Sequence, residues 1–314
     1  MPRRRDPSVD LPAIFTAGQA LAAGFTRDQI RQRLRGGDWQ RLARGAYGIT
    51  PPADDLEPRG LHGRRAVAAA LTHPGAVIGF DSALVLRGLP LDRPLPDTVS
   101  LCVGDGHWSG TRGGIRFRRG ELPPDAIDHA FASPLVTAPV QVVTAACAWV
   151  QVTASGTLAD GLVTGDAGLR RRSFTRDDLR SAVTVLRPAR GRRIVEAALL
   201  QVDGRRESPL ESQSWAYFLR NRIPLPKLQV EIVDEWGDFV GRVDTLWSEA
   251  RVIGEVDGRS KYATPDDVYR EKRREDALRA MGFEVIRWGF SDLRSRALAL
   301  RIARTLAGRG HAAA

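Results

Sequence analysis

Three short apolar runs at residues 228–233, 240–247 and 252–257 carry carboxylates at positions where strands rarely tolerate them. Each run is rich in Val, Ile and Leu and is bounded by polar or Gly-containing turns, so each reads as a strand. Asp244 lies inside the second run, in Gly241-Arg242-Val243-Asp244. Glu255 lies near the end of the third, and Asp257 follows two residues later on the same strand face. Pairing the second and third runs as a hairpin lets Asp244 and Glu255 converge at one sheet end. Ser208-Pro209-Leu210-Glu211 opens a helix before these strands, with Ser208 as N-cap, Pro209 at the first helical position and Glu211 at the third. A helix over 266–281, a strand over 283–288 and a helix capped by Ser291 and running to 306 follow. The predicted order for residues 207–314 is α-β-β-β-α-β-α.

Carboxylates on adjacent strands suit one chemistry in particular. Phosphodiester hydrolysis needs charge neutralisation at the phosphate and an activated water. Mg²⁺ supplies both while bound by one or two carboxylates and several waters. A nearby Lys can orient the water, and Lys261 stands four residues beyond Asp257.

At 314 residues the chain is long enough for two or three domains. Pro51-Pro52-Ala53-Asp54-Asp55 and Val202-Asp203-Gly204-Arg205-Arg206 divide it into 1–50, 51–206 and 207–314. No window is apolar for long enough to span a membrane, and no apolar stretch follows the basic N-terminus as a secretory signal would require. Two widely separated cysteines exclude a disulfide scaffold and fit a reducing cytoplasm.

The chain has 47 Lys+Arg against 37 Asp+Glu, a net charge of +10, and only three of the basic residues are Lys. The excess is densest in residues 1–50, with nine basic against four acidic residues. That balance favours a polyanionic partner, nucleic acid first. In the same segment, Thr16-x-x-Gln19 and Thr26-x-x-Gln29 are capping boxes for helices over 17–23 and 27–35. Strands over 39–42 and 46–49 follow, with Trp39 and Tyr47 as core. On the second helix Ile30 and Leu34 face inward. Arg27, Arg31 and Arg35, spaced by four, share another face with Gln32 nearby, a pattern suited to base edges and phosphates.

The middle segment reads as mixed helix and strand without a chemical signature. His62, His73, His107 and His129 lack metal-ligand spacing, and Gly104-x-Gly106 reads as a turn.

Asp244 with Glu255-Val256-Asp257-Gly258, set on that element order, resembles the PD-(D/E)XK restriction-endonuclease-like superfamily. The helix Tyr269-Arg270-Glu271-Lys272-Arg273-Arg274-Glu275-Asp276 and the run Gly282-Phe283-Glu284-Val285-Ile286-Arg287 resemble a branch related to very-short-patch-repair endonucleases. Residues 11–50 resemble the winged-helix N-terminal domain of AbiEi-type antitoxins, a domain often found in one chain with such a nuclease-like domain.

The resemblance implies an α+β multidomain chain: a winged helix-turn-helix, a mixed α/β middle region and a restriction-endonuclease-like domain. It implies Asp244 and Glu255 as ligands for Mg²⁺ or Mn²⁺, Glu211 as the helical acid, and Arg287 with Arg270–Arg274 as phosphate-positioning groups. Asp257 stands where that superfamily usually has Lys, with Lys261 placed to replace the amine. The expected function is a cytoplasmic DNA-binding protein with a metal-dependent endonuclease domain. The alternative is an antitoxin-like transcriptional regulator with an inactive nuclease fold. RNA is a weaker alternative substrate.

Overall fold

The computed structural model describes residues 11–52, 57–129, 131–132, 140–257 and 265–310, the side chains of 265–271 excepted. Those residues form a mixed α+β structure with three sheets. It divides into two compact units, Met1–Thr164 with Arg172–Leu200, and Gly165–Arg171 with Gln201–Ala314. No helix among the described residues is long and apolar enough to cross a membrane.

The first unit opens with β1 (Ile14–Thr16), α1 (Ala17–Ala22), α2 (Arg27–Arg35), β2 (Trp39–Ala43) and β3 (Ala46–Ile49). Both capping boxes form, with Thr16 and Thr26 each exchanging hydrogen bonds with the Gln three residues on. β1, absent from the sequence reading, pairs with β3 to give the sheet order β1-β3-β2. The helices pack on this sheet through Phe15, Ala20, Phe25, Ile30 and Trp39, with Leu34 and Tyr47 at the margin. Phe15 and Phe25 meet Trp39 edge-on at 4.7 and 4.9 Å between centroids, so Trp39 is core.

The unit continues through α3 (Pro58–Leu71), β4 (Val77–Ile78), α4 (Phe80–Leu86), β5 (Val99–Val103), β6 (Gly110–Arg112), β7 (Ile115–Arg119), β8 (Ile127–Asp128) and β9 (Val142–Val143). These strands form a mixed sheet in the order β6-β7-β5-β4-β9-β8. Helices α5 (Ala145–Ala154), α6 (Leu158–Arg170), α7 (Arg176–Leu186) and α8 (Arg192–Gln201) follow. The break expected at Pro51-Pro52 does not separate compact units, because α3 packs on β1, β2 and β3. Arg64 of α3 is buried, and its guanidinium donates to the carbonyls of Ala13 and Ile49.

The second unit runs α9 (Pro209–Asn221), β10 (Lys227–Val233), β11 (Phe239–Trp247), β12 (Val252–Val256), α10 (Pro265–Ala280), β13 (Glu284–Trp288) and α11 (Ala297–Gly308). Its sheet order is β10-β11-β12-β13, with the last pair parallel and the others antiparallel. Every residue of β12 is buried, as expected of a strand covered on both faces. One apolar cluster joins Tyr217 and Phe218 of α9, Trp247, Trp288, and Ile302 and Leu306 of α11. Another joins Ile232, Val243, Leu246 and Ile253 to Leu278 of α10. Ser291 makes no side-chain cap; it precedes a short 3₁₀ turn, Asp292–Arg294, and α11 starts later.

The second boundary is also displaced. Gly165–Arg171, at the end of α6, belongs with the C-terminal unit. The cause is an ion pair between Asp166 and Arg206, each only 1% exposed. Arg206 donates to both Asp166 oxygens at 2.5 and 2.8 Å. The Ser212 hydroxyl and the Asp203 N–H donate to the same carboxylate at 2.6 and 2.7 Å. At the segment read as a boundary, Arg206 is therefore a buried anchor.

Candidate functional site

The acids meet where the strand ladders fail. Pairing between β10 and β11 passes from Leu228↔Thr245 to Val230↔Val243, skipping Gln229 and Asp244. Gln229 sits at φ +51°, a left-handed conformation that is costly for a residue with a side chain. Pairing between β11 and β12 starts at Trp247↔Val252 and ends at Thr245↔Gly254. Asp244 and Glu255 are the next residues along each strand. Beyond the last pair the backbone N–H of Val256 needs a new acceptor, and Asp244 Oδ2 takes it at 2.9 Å.

Glu211 reaches this place from α9. Its N–H donates to the Ser208 hydroxyl at 3.2 Å, so the capping role read from sequence is real. Its carboxylate does not close the box on Ser208; Oε2 accepts the Glu207 N–H and the Gln229 side-chain amide, both at 2.9 Å. Burial, reinforced by the Asp244 charge, holds the Glu211 carboxyl above its ordinary value. The three hydrogen bonds from Glu207, Ser208 and Gln229 oppose that shift.

Glu255 is buried and bracketed by guanidiniums. Arg274 of α10 donates to Oε1 at 2.6 Å. Arg287, its register partner on β13, donates to Oε2 at 3.2 Å through Nη2. Arg287 also pairs with Glu275 at 2.7 Å. Arg274 crosses β11 at Gly241, where an added Cβ would come within 2.9 Å of its Cδ, so this glycine clears its path to Glu255. The same guanidinium donates to the Arg242 carbonyl at 3.1 Å.

The structure thus gathers Glu211, Asp244 and Glu255 around one strand divergence. Arg287 is drawn into ion pairs within the unit rather than standing as an open phosphate contact. Asp257 is exposed at the end of β12, and its backbone N–H donates to the Trp288 carbonyl at 2.8 Å. Lys261 and the Arg270 side chain lie outside the described residues. Gln229 escaped the sequence reading because its role comes from a backbone irregularity that no local motif announces. The cross-sheet use of Arg274 was equally hidden inside a charged helix.

Among the described residues, no group of three His, Cys, Asp or Glu side chains is arranged to hold a metal ion. The oxygen chemistry of Asp244 and Glu211 still fits a hard cation, since Mg²⁺ commonly takes only one or two carboxylates. Both Glu255 oxygens are already engaged by arginine.

In the first unit Arg27, Arg31, Gln32 and Arg35 are all exposed on α2. Arg31 pairs with Asp28 on the same helix, and the Arg35 guanidinium donates to the Arg31 carbonyl at 3.5 Å.

No family model matches the chain. The chain belongs to one family with two proteins of Mycobacterium tuberculosis, uncharacterized protein Rv2248 of strain H37Rv and uncharacterized protein MT2308 of strain CDC 1551. Each is 30% identical over 293 residues, spanning 90% of this chain and 97% of the relative. The family likeness therefore embraces both units. Among solved structures, that of the Rv2827c protein from Mycobacterium tuberculosis aligns with TM-score 0.35 and 17% identity, over 62% of this chain and 78% of that one.

Proposed function

We propose that the chain is a DNA-binding protein whose second unit is a PD-(D/E)XK-type, metal-dependent endonuclease. The observation that carries this reading is the geometry where β11 and β12 separate: Asp244 and Glu255 stand next along the two strands, and the buried Glu211 is hydrogen-bonded to Gln229 of the neighbouring β10. A buried carboxylate that feels another's charge is a cost to the fold that cation binding would relieve. Asp244 and Glu211 would hold Mg²⁺ or Mn²⁺, which would neutralise charge on a phosphate and acidify a bound water. Gln229 fixes Glu211 through its amide, and the Val256 N–H fixes Asp244. Arg274 and Arg287 put positive charge beside the carboxylates, and Glu255 holds both in place.

In the first unit we read α1, α2 and the β2–β3 hairpin as a winged helix. Its α2 would enter a major groove, with Arg27, Arg31, Gln32 and Arg35 toward DNA. The test is nicking of supercoiled plasmid with Mg²⁺ or Mn²⁺ by the wild type, Asp244→Ala and Glu255→Ala. Metal-dependent nicking that both variants lose is expected. A folded wild type that cuts neither plasmid nor RNA would rule out the enzyme.

One observation favours a second reading, a DNA-binding regulator on an inactive nuclease scaffold. Arginines already occupy both oxygens of Glu255, and Asp257 stands where the superfamily's Lys would be. That protein would bind a specific duplex in a salt-sensitive, metal-independent way.

A further inference from the structure

The first unit carries a cleft of about 820 Å³ that the sequence left without a role. Its walls come from five places in the chain. Arg44 stands at the tip of the β2–β3 hairpin, and His73 follows α3. His107 and Trp108 lie in the β5–β6 connection, Arg112 ends β6, and Phe117 is on β7. No carboxylate is among the described residues that line it.

Its centre is aromatic. Trp108 is 61% exposed, unusual for the largest apolar side chain. Yet the indole is held in position. It lies against Gly110, at φ +148°, where an added Cβ would come within 2.4 Å of the ring. Phe117 stands 6.1 Å from it, and His73 meets Phe117 edge-on at 5.1 Å. An open ring face in a cleft that Arg44 and Arg112 also line suits a planar aromatic group joined to an anion. Inside a duplex both faces of each base are covered by its neighbours, so only an unpaired base can offer a face to Trp108.

We propose that this cleft binds single-stranded DNA, stacking an unpaired base on Trp108 while Arg44 and Arg112 contact the adjoining phosphates. The inference rests on the reading of the chain as a DNA-binding protein. It adds a second mode of contact to that of α2, and it gives the middle segment a function. The binding surface is assembled from the hairpin tip and the β5–β7 edge of the same compact unit.

The experiment measures binding of a fluorescein-labelled oligothymidylate, and separately of a labelled duplex, to the full-length chain by anisotropy. Trp108→Ala should weaken oligothymidylate binding by about 5- to 150-fold, the range for removal of one base–aromatic stack. Trp108→Phe, which keeps a ring face, should restore most of it. The exposure of Trp108 means both variants should fold, which circular dichroism checks. Arg44→Ala with Arg112→Ala should lower the salt slope by about 1.4, roughly 0.7 for each phosphate that is no longer neutralised. Arg31→Ala should weaken duplex binding and leave oligothymidylate binding unchanged.

Oligothymidylate affinity unaltered in Trp108→Ala, with duplex binding intact, would overturn the cleft proposal alone. Binding of ATP but not of oligothymidylate would overturn it too. A wild type that binds neither nucleic acid would overturn both readings. Trp108-dependent oligothymidylate binding without duplex binding would keep the cleft and remove α2 as a duplex reader.

Discussion

Arginine does opposite work on α2 of the first unit and around Glu255 and Asp166 of the second. On α2 of the first unit Arg27, Arg31 and Arg35 are exposed, and their charge is offered outward. In the second unit Arg206 is 1% exposed, and Arg274 and Arg287 are spent on Glu255. A chain with 44 Arg and three Lys cannot be read by counting charges. Partnership and burial decide whether a guanidinium recruits a polyanion or holds the fold. Arg suits the second task because its planar fork satisfies several acceptors at once.

The strongest test of this contrast is at Arg206. Arg206→Ala leaves the Asp166 carboxyl buried without its main partner. It should cost about 3–5 kcal/mol, measured by chemical denaturation. A loss under about 1 kcal/mol would show that the pair is not what binds Gly165–Arg171 to the second unit.

Glu255→Ala comes next. It leaves Arg274 and Arg287 facing each other across an empty bracket, and the expected loss is about 1–3 kcal/mol. Glu255→Gln should recover part of it. If Glu255→Ala is as stable as wild type, the arginines have other partners of equal worth.

Two buried titratable groups set the units against each other in pH. In the first unit His62 sits between the Pro96 carbonyl at 3.1 Å and the Ser82 hydroxyl at 2.9 Å. Ser82 in turn accepts the Ser100 N–H. Burial holds the imidazole below its ordinary value, with Arg59 and Arg65 adding to the effect. A depressed histidine is neutral in the fold. The unfolded chain then binds the extra proton first as pH falls below about 6.5, and stability is lost from there through the lower folded value. The slope is at most about 1.4 kcal/mol per pH unit, and His62→Asn should flatten it.

Glu211 has the opposite sign. Its folded carboxyl is raised, so the fold holds the proton more tightly. Its stabilising share is complete below about pH 4.3 and is lost as pH rises through the folded value. In metal-free buffer near neutral pH, Glu211→Gln should therefore raise stability by about 1 kcal/mol, an advantage that vanishes in acid. Calorimetry across pH reads both variants. A Glu211→Gln gain that persisted unchanged into acid would mean that packing, not charge, is the cause.

The smallest effect probes the contrast from the other side. Arg31→Ala should change stability by less than about 0.5 kcal/mol, because its pair with Asp28 is exposed. Under the proposed function its consequence would lie in duplex binding.

Much of this molecule is written locally. The capping boxes at Thr16 and Thr26 form because Gln stands three residues after each threonine, which one helical turn brings back to the cap. The strand runs of the second unit were readable from β-branched residues and turn signals. Their carboxylates stood out because strands seldom carry them. The same reasoning failed at β1, which is three residues long and too short to show a period. It failed at Ser291, where a 3₁₀ turn intervenes before α11.

The amino-acid order was enough to settle the element order of the second unit, the exposed basic face of α2 and the acids worth watching, since each depends on neighbours within a few residues. Tertiary packing settled which charges are spent. It set Arg274 and Arg287 on Glu255, buried Arg206 against Asp166 forty residues away, twisted Gln229 into line with Glu211, and built a cleft from Arg44 to Phe117. These pairings join residues far apart in the chain. Their energies depend on desolvation and convergent geometry, which exist only after the sheets and helices have packed.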